Sequence, residues 1–225
     1  MKKENILVVV AHPDDETLGC GGTIQKYVKL GHEVYIIVFA DGESSREKYD
    51  SVKIKKRFNQ LKQVCKLFSC RIYKSHNYPD NQLDKISNLE IAQHIENAIK
   101  AIKPKIIFTH HNNDLNIDHR KISNATLTAC RPTPQNTIKE LYYFETISSS
   151  EWNFNTDVKT FSPNKFVNIE KFINKKIKAI KFYKKELKAY PHPRSLEGIK
   201  NLARYRGQSV GMKFAEAFMI GFIRD

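Results

Sequence analysis

No apolar run in this 225-residue sequence approaches the roughly 20 residues that a helix needs to cross a bilayer. The opening residues, Met1-Lys2-Lys3-Glu4-Asn5-Ile6, lead into a short apolar stretch that meets charge at Asp14, so no secretory leader is predicted and a cytoplasmic location is the expectation. Cysteine is scarce. Cys20, Cys65, Cys70 and Cys130 show no CxxC spacing, which argues against a thiolate metal site or a disulfide framework and for buried, inert thiols. Glycine is scarce too, and Gly19, Gly21 and Gly22 do not complete a dinucleotide fingerprint: G-x-G-x-x-G would need glycine where Ile24 stands, and no G-x-x-x-x-G-K-[ST] loop exists. Carboxylates are outnumbered, 24 Asp and Glu against 38 Lys and Arg, for a formal net charge of +14 with lysine thickest at 171–188. Such an excess attracts a phosphorylated small molecule, nucleic acid or an anionic membrane surface, but no recognisable nucleic-acid module is present.

What is present alternates. Apolar, β-branched runs at Asn5–Ala11, Glu33–Ala40, Arg71–Tyr73, Lys105–Thr109 and Glu140–Thr146 read as strands. Between them lie amphipathic stretches: one that the glycines precede and that Gly31 stops, one over 46–68 with Val52, Phe58, Leu61, Val64 and Leu67 on one side, Ile86–Ile102, and 120–130. Tyr78-Pro79-Asp80-Asn81 reads as a loop. This order predicts an α/β fold, a Rossmann-like, mainly parallel sheet with helices on both faces. After 147 the pattern changes to a C-terminal helical and strand extension: an irregular stretch to Pro163, a short strand at Lys165–Asn168, a basic helix over Glu170–Ala189 stopped at Pro191-His192-Pro193, a short helix at Ser195–Arg204 and a last strand within Lys213–Ile223. No repeat or linker divides the chain, so residues 1–225 read as one domain.

Two clusters carry chemistry. Ala11-His12-Pro13-Asp14-Asp15-Glu16 follows the first strand, and Asp114-Leu115-Asn116-Ile117-Asp118-His119 follows the fourth. In open parallel sheets ligands bind beyond the carboxyl ends of the strands, where both clusters fall. A catalytic zinc site takes three nitrogen or oxygen ligands and keeps one position for water, whose pKa it lowers to about 7. His12 and Asp15 reach one ion from a single tight turn, and His119 supplies a third ligand. Asp14 is then free as general base. Glu16 supports the turn or the helix start behind it, and Asp118 orients a ligand or a neighbouring donor. His110 and His111 read as loop or supporting residues. The composition points to hydrolysis assisted by one Zn2+ ion, other divalent metals being compatible with the same donors.

These residues resemble those of the PIG-L/LmbE-like family of zinc-dependent N-acetylglucosaminyl deacetylases, in the first cluster with Gly19 and Gly21-Gly22, in Asp118-His119, and in Ala215-Glu216-Ala217-Phe218. The resemblance implies removal of an acetyl group from an amino sugar, with His12, Asp15 and His119 as zinc ligands and Asp14 as base. It also implies a substrate-binding role for Arg57. One position departs: many members carry histidine where Asn116 stands, and that histidine helps to stabilise the developing oxyanion. Asparagine can donate a hydrogen bond there but cannot carry charge. His192, in Tyr190-Pro191-His192-Pro193-Arg194-Ser195, is the candidate to share the role, with Arg194 and Asp80 lining the sugar site, because both segments are similar to a branch tied to surface-polysaccharide synthesis. The partner implied is a small amino sugar, free, phosphorylated, nucleotide-linked or lipid-linked. No nucleic acid is expected, and a homo-oligomer is compatible with the sequence. The competing readings are hydrolysis of another amide, such as an acylated glycopeptide or thiol conjugate, and a non-catalytic module in which the basic surface binds anions.

Overall fold

The computed structural model describes residues 3–45 and 50–225. The described residues form a seven-stranded sheet of β1 (Asn5–Val10), β2 (Glu33–Ala40), β3 (Arg71–Tyr78), β4 (Ile106–His110), β5 (Glu140–Phe144), β6 (Lys165–Asn168) and β7 (Ala215–Ile223), in the spatial order β3-β2-β1-β4-β5-β7-β6. The first five strands are parallel, and β7 runs antiparallel between β5 and β6. Along β1, Ile6, Val8 and Val10 face one core while Leu7 and Val9 face the other, as the two-residue period of a strand requires. Helices α1 (Asp15–Lys29), α2 (Ser51–Phe68), α5 (Ile173–Ile180) and α6 (Leu196–Gln208) cover the first face. Helices α3 (Asn88–Ile102) and α4 (Ile117–Ala129) cover the second. The four cysteines are buried and unpaired. Among the described residues, no helix is long and apolar enough to cross a membrane.

β1 and β4 are neighbours, yet the chain leaves β1 towards β2 on one side and β4 towards β5 on the other. The crevice beyond their carboxyl ends is therefore a topological switch point, the position where open α/β sheets bind ligands. Both clusters start there.

Several elements differ from the sequence-based expectation. The glycines lie inside α1, which starts at Asp15 and kinks at Cys20 (φ −144°, ψ 23°). A Cβ on Gly19 would overlap the Phe144 ring and one on Gly22 would stand 2.7 Å from Ile169, so the helix lies too close to its neighbours for a side chain there. The kink frees the N–H groups of Gly22 and Thr23, and Glu216 of β7 accepts both, at 2.8 and 2.7 Å. Lys176 Nζ reaches Glu216 at 2.6 Å and also donates to Leu18 O at 2.8 Å. All of this is buried, so Glu216→Ala leaves the Lys176 ammonium without its counter-charge and two N–H groups without an acceptor. Breaking a buried pair from one side costs about 3–5 kcal/mol. At about 2–4 °C per kcal/mol for a domain of this size, a melting temperature lower by about 10 °C is expected in a thermal scan. A drop within experimental error would remove Glu216 from the framework.

The basic helix expected over 170–189 stops at Ile180. Tighter i→i−3 bonds follow, from Phe182 N to Ala179 O, Tyr183 N to Ile180 O and Glu186 N to Tyr183 O. They wind Tyr183 and Glu186 into the interior, where both are buried. The strand expected at 71–73 continues to Tyr78. It is the sheet's edge, so Lys74, Ser75 and Asn77 add polar side chains that mask the strand pattern. Helix α2 is capped by Asp50, which accepts from Val52 N and Lys53 N. Residues 46–49 of the expected helix lie outside the described residues.

Candidate active site

The turn after β1 holds an unusual backbone. Asp14 sits at φ 122° and ψ −28°, a conformation that costs a residue other than glycine about 1–3 kcal/mol. Neighbours over-determine it. Asp14 N donates to Glu16 Oε2 at 3.0 Å, and Asp14 O accepts Thr17 N and Leu18 N, both at 2.9 Å. Glu16 Oε1 accepts the Thr17 and Tyr183 hydroxyls at 2.6 and 2.9 Å. Burial pushes the Glu16 carboxyl up to about 7. His12 N donates to Asp15 Oδ2 at 2.8 Å, which folds that carboxylate back under the imidazole. On the second segment Asn116 caps α4, its Oδ1 accepting Asp118 N at 2.8 Å. Asp118 and His119 thus occupy the first helical turn, both buried.

The two segments converge. His12, Asp15 and His119 each offer a ligand atom, and the three atoms lie within 4.8 Å of one another. His12 Nδ1 is 3.3 Å from Asp15 Oδ2, and His119 Nε2 is 3.4 Å from Asp15 Oδ1. The other ring nitrogens face carboxylates: His12 Nε2 lies 3.0 Å from Asp118 Oδ2, and His119 Nδ1 lies 3.0 Å from Asp114 Oδ1. A carboxylate only accepts, so these nitrogens carry the protons, and lone pairs on His12 Nδ1 and His119 Nε2 are left towards Asp15. Asp15 Oδ1 is buried without a hydrogen-bond partner. An acceptor orphaned in the interior is costly unless a cation takes it. Two imidazole nitrogens and one carboxylate around that point fit a divalent metal ion.

The electrostatics agree. Burial works against charge on His12, but Asp118, Asp15 and Asp80 outweigh it and raise its pKa well above the usual value. Burial also opposes His119, but Asp15 and Asp114 lift its pKa to about 9. Surroundings that stabilise positive charge on two imidazoles also stabilise a cation between them. His110 behaves oppositely: burial and the nearby His119 hold its pKa near 4. It stacks on the His119 ring at 4.0 Å, and its Nε2 accepts Ala11 N–H at 3.0 Å, so it is a neutral strut between β1 and β4. His12, Asp80 and Asp118 make a second group of ligand type, with Asp80 Oδ1 2.9 Å from His12 Nε2. Asp118 also accepts Asn81 N at 2.8 Å and Leu83 N at 2.9 Å, which fixes it as the support behind His12.

Asp14 stands beside this cluster with its two oxygens in different situations. Oδ2 faces Arg57 Nη2 at 3.2 Å and Arg194 Nη1 at 3.3 Å. No hydrogen bond among the described residues engages Oδ1. Burial pushes the carboxyl up to about 6, and the two arginines limit that rise. Glu186 bridges the same arginines, 3.1 Å from Arg57 Nη1 and 3.1 Å from Arg194 Nη1. Arg57 is buried with its guanidinium 5.0 Å over the Tyr183 ring, whereas Arg194 is partly exposed and donates from Nε to Ser148 Oγ at 2.7 Å. A cleft opens here, lined almost entirely by polar side chains, Asp80, Asn81, Asn116 and Arg194 among them.

The structure therefore gathers His12, Asp14, Asp15, Arg57, Asp80, Asn116, Asp118, His119 and Arg194 around one point. His192 stands outside the cleft lining. Its Nδ1 accepts Arg194 N at 3.0 Å, and its ring meets Trp152 edge-on at 5.4 Å. Sequence reasoning placed Asp114 in the second cluster without a role of its own, and missed Tyr183 and Glu186. Asp114 opens the second cluster, five residues before the histidine it holds. Glu186 is the one carboxylate among the eight lysines of 171–188, and an isolated acid in a basic stretch was the available signal.

The PIG-L family, described as GlcNAc-PI de-N-acetylase, matches residues 7–130, a span containing both clusters. YaiS of Escherichia coli (strain K12), an uncharacterised deacetylase, is 27% identical over 191 residues, which cover 81% of this chain and 92% of YaiS. N,N'-diacetylchitobiose deacetylase from Pyrococcus horikoshii superposes with a TM-score of 0.77 at 21% identity, over 96% of this chain and 83% of that one. GalB, the 4-carboxy-2-hydroxymuconate hydratase from Pseudomonas putida KT2440, superposes as well, with a TM-score of 0.78 at 18% identity over 99% of this chain and 98% of that one. Superposition at these identities shows a shared fold, and function has to be argued from the site.

Proposed function

Because the chain belongs to the PIG-L family and carries a candidate His/Asp metal site, we propose that it is a zinc-dependent N-deacetylase that releases acetate from an N-acetylglucosamine-type amino sugar. The observation that carries this reading is the asymmetry of Asp14: one oxygen gripped by two arginines, the other unengaged beside the His12–Asp15–His119 cluster. A divalent ion on those three residues supplies Lewis acidity for the acetamide carbonyl and a water of lowered pKa. Asp14 Oδ1 takes a proton from the attacking water and returns it to the leaving nitrogen. Arg57 and Arg194 hold the carboxylate in place through Oδ2, and Glu186 holds the arginines.

Asn116 is the donor for the developing oxyanion in this scheme. Its Oδ1 is committed to the α4 cap and one Nδ2 hydrogen to Asn81 Oδ1 at 3.1 Å, which leaves a second N–H on a side chain lining the cleft. His192 enters through Arg194, whose backbone N–H it accepts. Asp80 and Arg194 line a polar cleft suited to sugar hydroxyls, and Arg194 also to a phosphate on the substrate.

The test is a mass-spectrometric screen of N-acetylated sugars, sugar nucleotides and N-acyl glycopeptides with the purified protein. The expected result is loss of acetyl from an amino sugar, abolished by chelator and restored by Zn2+. Hydrolysis confined to glycopeptides or thiol conjugates would replace the sugar assignment, and no amide hydrolysis with any divalent metal would end the proposal.

A further inference from the structure

Helices α1, α2 and α5 pack against one another on the first face of the sheet, so the outer sides of α2 and α5 form one surface. From Ser51 to Pro79 the chain holds no Asp or Glu, and over 171–188 its only carboxylate is Glu186, which is buried beside Arg57 and Arg194. The exposed outer face of this layer includes Lys55, Lys62 and Lys66 of α2, Lys175 and Lys178 of α5, and Lys181 just beyond it. None of these six has an ion-pair partner among the described residues. Elsewhere the pattern is different: α3 and the end of α4 mix charges, with Glu90 and Glu96 beside Lys100 and Arg131. The outer side of this layer thus presents a field of one sign.

We infer that this lysine face docks the protein on the surface of an anionic lipid bilayer. Two observations favour a bilayer over nucleic acid. First, the face is built from lysine: the one arginine in 51–69 and 171–190 is Arg57, which is buried. Lysine point charges suit a diffuse layer of anionic headgroups, and the face lacks the guanidinium fork that pairs bidentately with phosphate and base edges. Second, an apolar side chain stands among the charges: Val52, one turn before Lys55 and Lys56 on the same side of α2, is 72% exposed. Interfacial surfaces combine such residues with lysine. Both segments also run to the cleft rim, since α2 carries Arg57 and the stretch after α5 carries Glu186 and Arg194. Docking through this face holds the cleft beside the headgroup layer.

The test is co-sedimentation of the full-length protein with phosphatidylcholine vesicles, with and without about one third phosphatidylserine. Binding is expected to the anionic vesicles alone and to be released by high salt, because about 1 M salt shortens the screening length to about 3 Å. At about 1 kcal/mol for each lysine near the surface, Lys55→Glu, Lys62→Glu, Lys178→Glu and Lys181→Glu combined should weaken partition by more than about 100-fold. Lys100→Glu, Lys103→Glu, Lys121→Glu and Lys139→Glu combined, which change net charge equally, should weaken it far less. Melting temperature and metal content check that both variants are folded. Equal losses in the two variants, no wild-type binding to anionic vesicles, or displacement from vesicles by duplex DNA in preference would each overturn the inference. None of these readouts requires a substrate, so failure of the deacetylase reading would leave them unaffected.

Discussion

Asp14→Asn is expected to keep the full metal content and to slow deacetylation by about 10²–10⁴-fold, the usual contribution of a positioned acid–base group. The substitution is nearly isosteric. Asparagine is also among the residues that best tolerate positive φ, so the turn at φ 122° should persist. Its amide oxygen can still accept from Arg57 and Arg194, which approach Asp14 Oδ2 at 3.2 and 3.3 Å. What it cannot do is take a proton. If Asp14 served only to place the arginines for substrate, the change would appear in KM, because an interaction made equally with substrate and transition state leaves kcat alone. The base assignment requires the loss in kcat. Acetate release followed together with metal analysis of the same preparation separates the cases, and a variant with wild-type kcat would eliminate Asp14 as the proton carrier.

Most of the sheet was legible because its signals are local. β1, β2, β4 and β5 are apolar runs buried on both faces, and each ends within one or two residues of the expected place. The ligand cluster was legible for a related reason: His12 and Asp15 lie in one turn and His119 at one helix start, each directly after a core strand. What stayed hidden depends on contacts that cross the chain. Glu186 sits in a lysine-rich stretch with helical spacing, and nothing local says that the helix ends at Ile180. The reason is Arg57, about 130 residues earlier, whose buried guanidinium needs a second anion besides Asp14. The glycines of α1 are expected before the helix and lie inside it, because Phe144 and Ile169, far along the chain, leave no room for a side chain there. Asp114 opens the second cluster, but only the fold brings the hydroxyls of Ser149 and Ser150 to it alongside His119. Each of these is a tertiary override of a local pattern, and they concentrate around the site, where local rules give way to function.

Asp15→Asn should have the opposite signature to Asp14→Asn: the metal is lost and activity goes with it. Removing a residue that merely supports a ligand typically costs 10–100-fold in metal affinity. Asp114→Asn and Asp118→Asn belong in that range if their part is to fix the tautomers of His119 and His12. Asp15 contributes the only carboxylate among the three ligand candidates and an oxygen orphaned in the interior, so its replacement should exceed about 100-fold. Stability provides a readout that needs no substrate. A ligand at a thousand times its Kd stabilises the folded state by about 4 kcal/mol. For a domain of this size that corresponds to a melting temperature higher by about 10 °C than with chelator. In Asp15→Asn the difference between metal-loaded and chelated protein should collapse, whereas in Asp14→Asn it should persist in full. A persistent metal-dependent rise in Asp15→Asn, with wild-type zinc stoichiometry, would mean that the ion is held elsewhere and that the convergence of His12, Asp15 and His119 has another purpose.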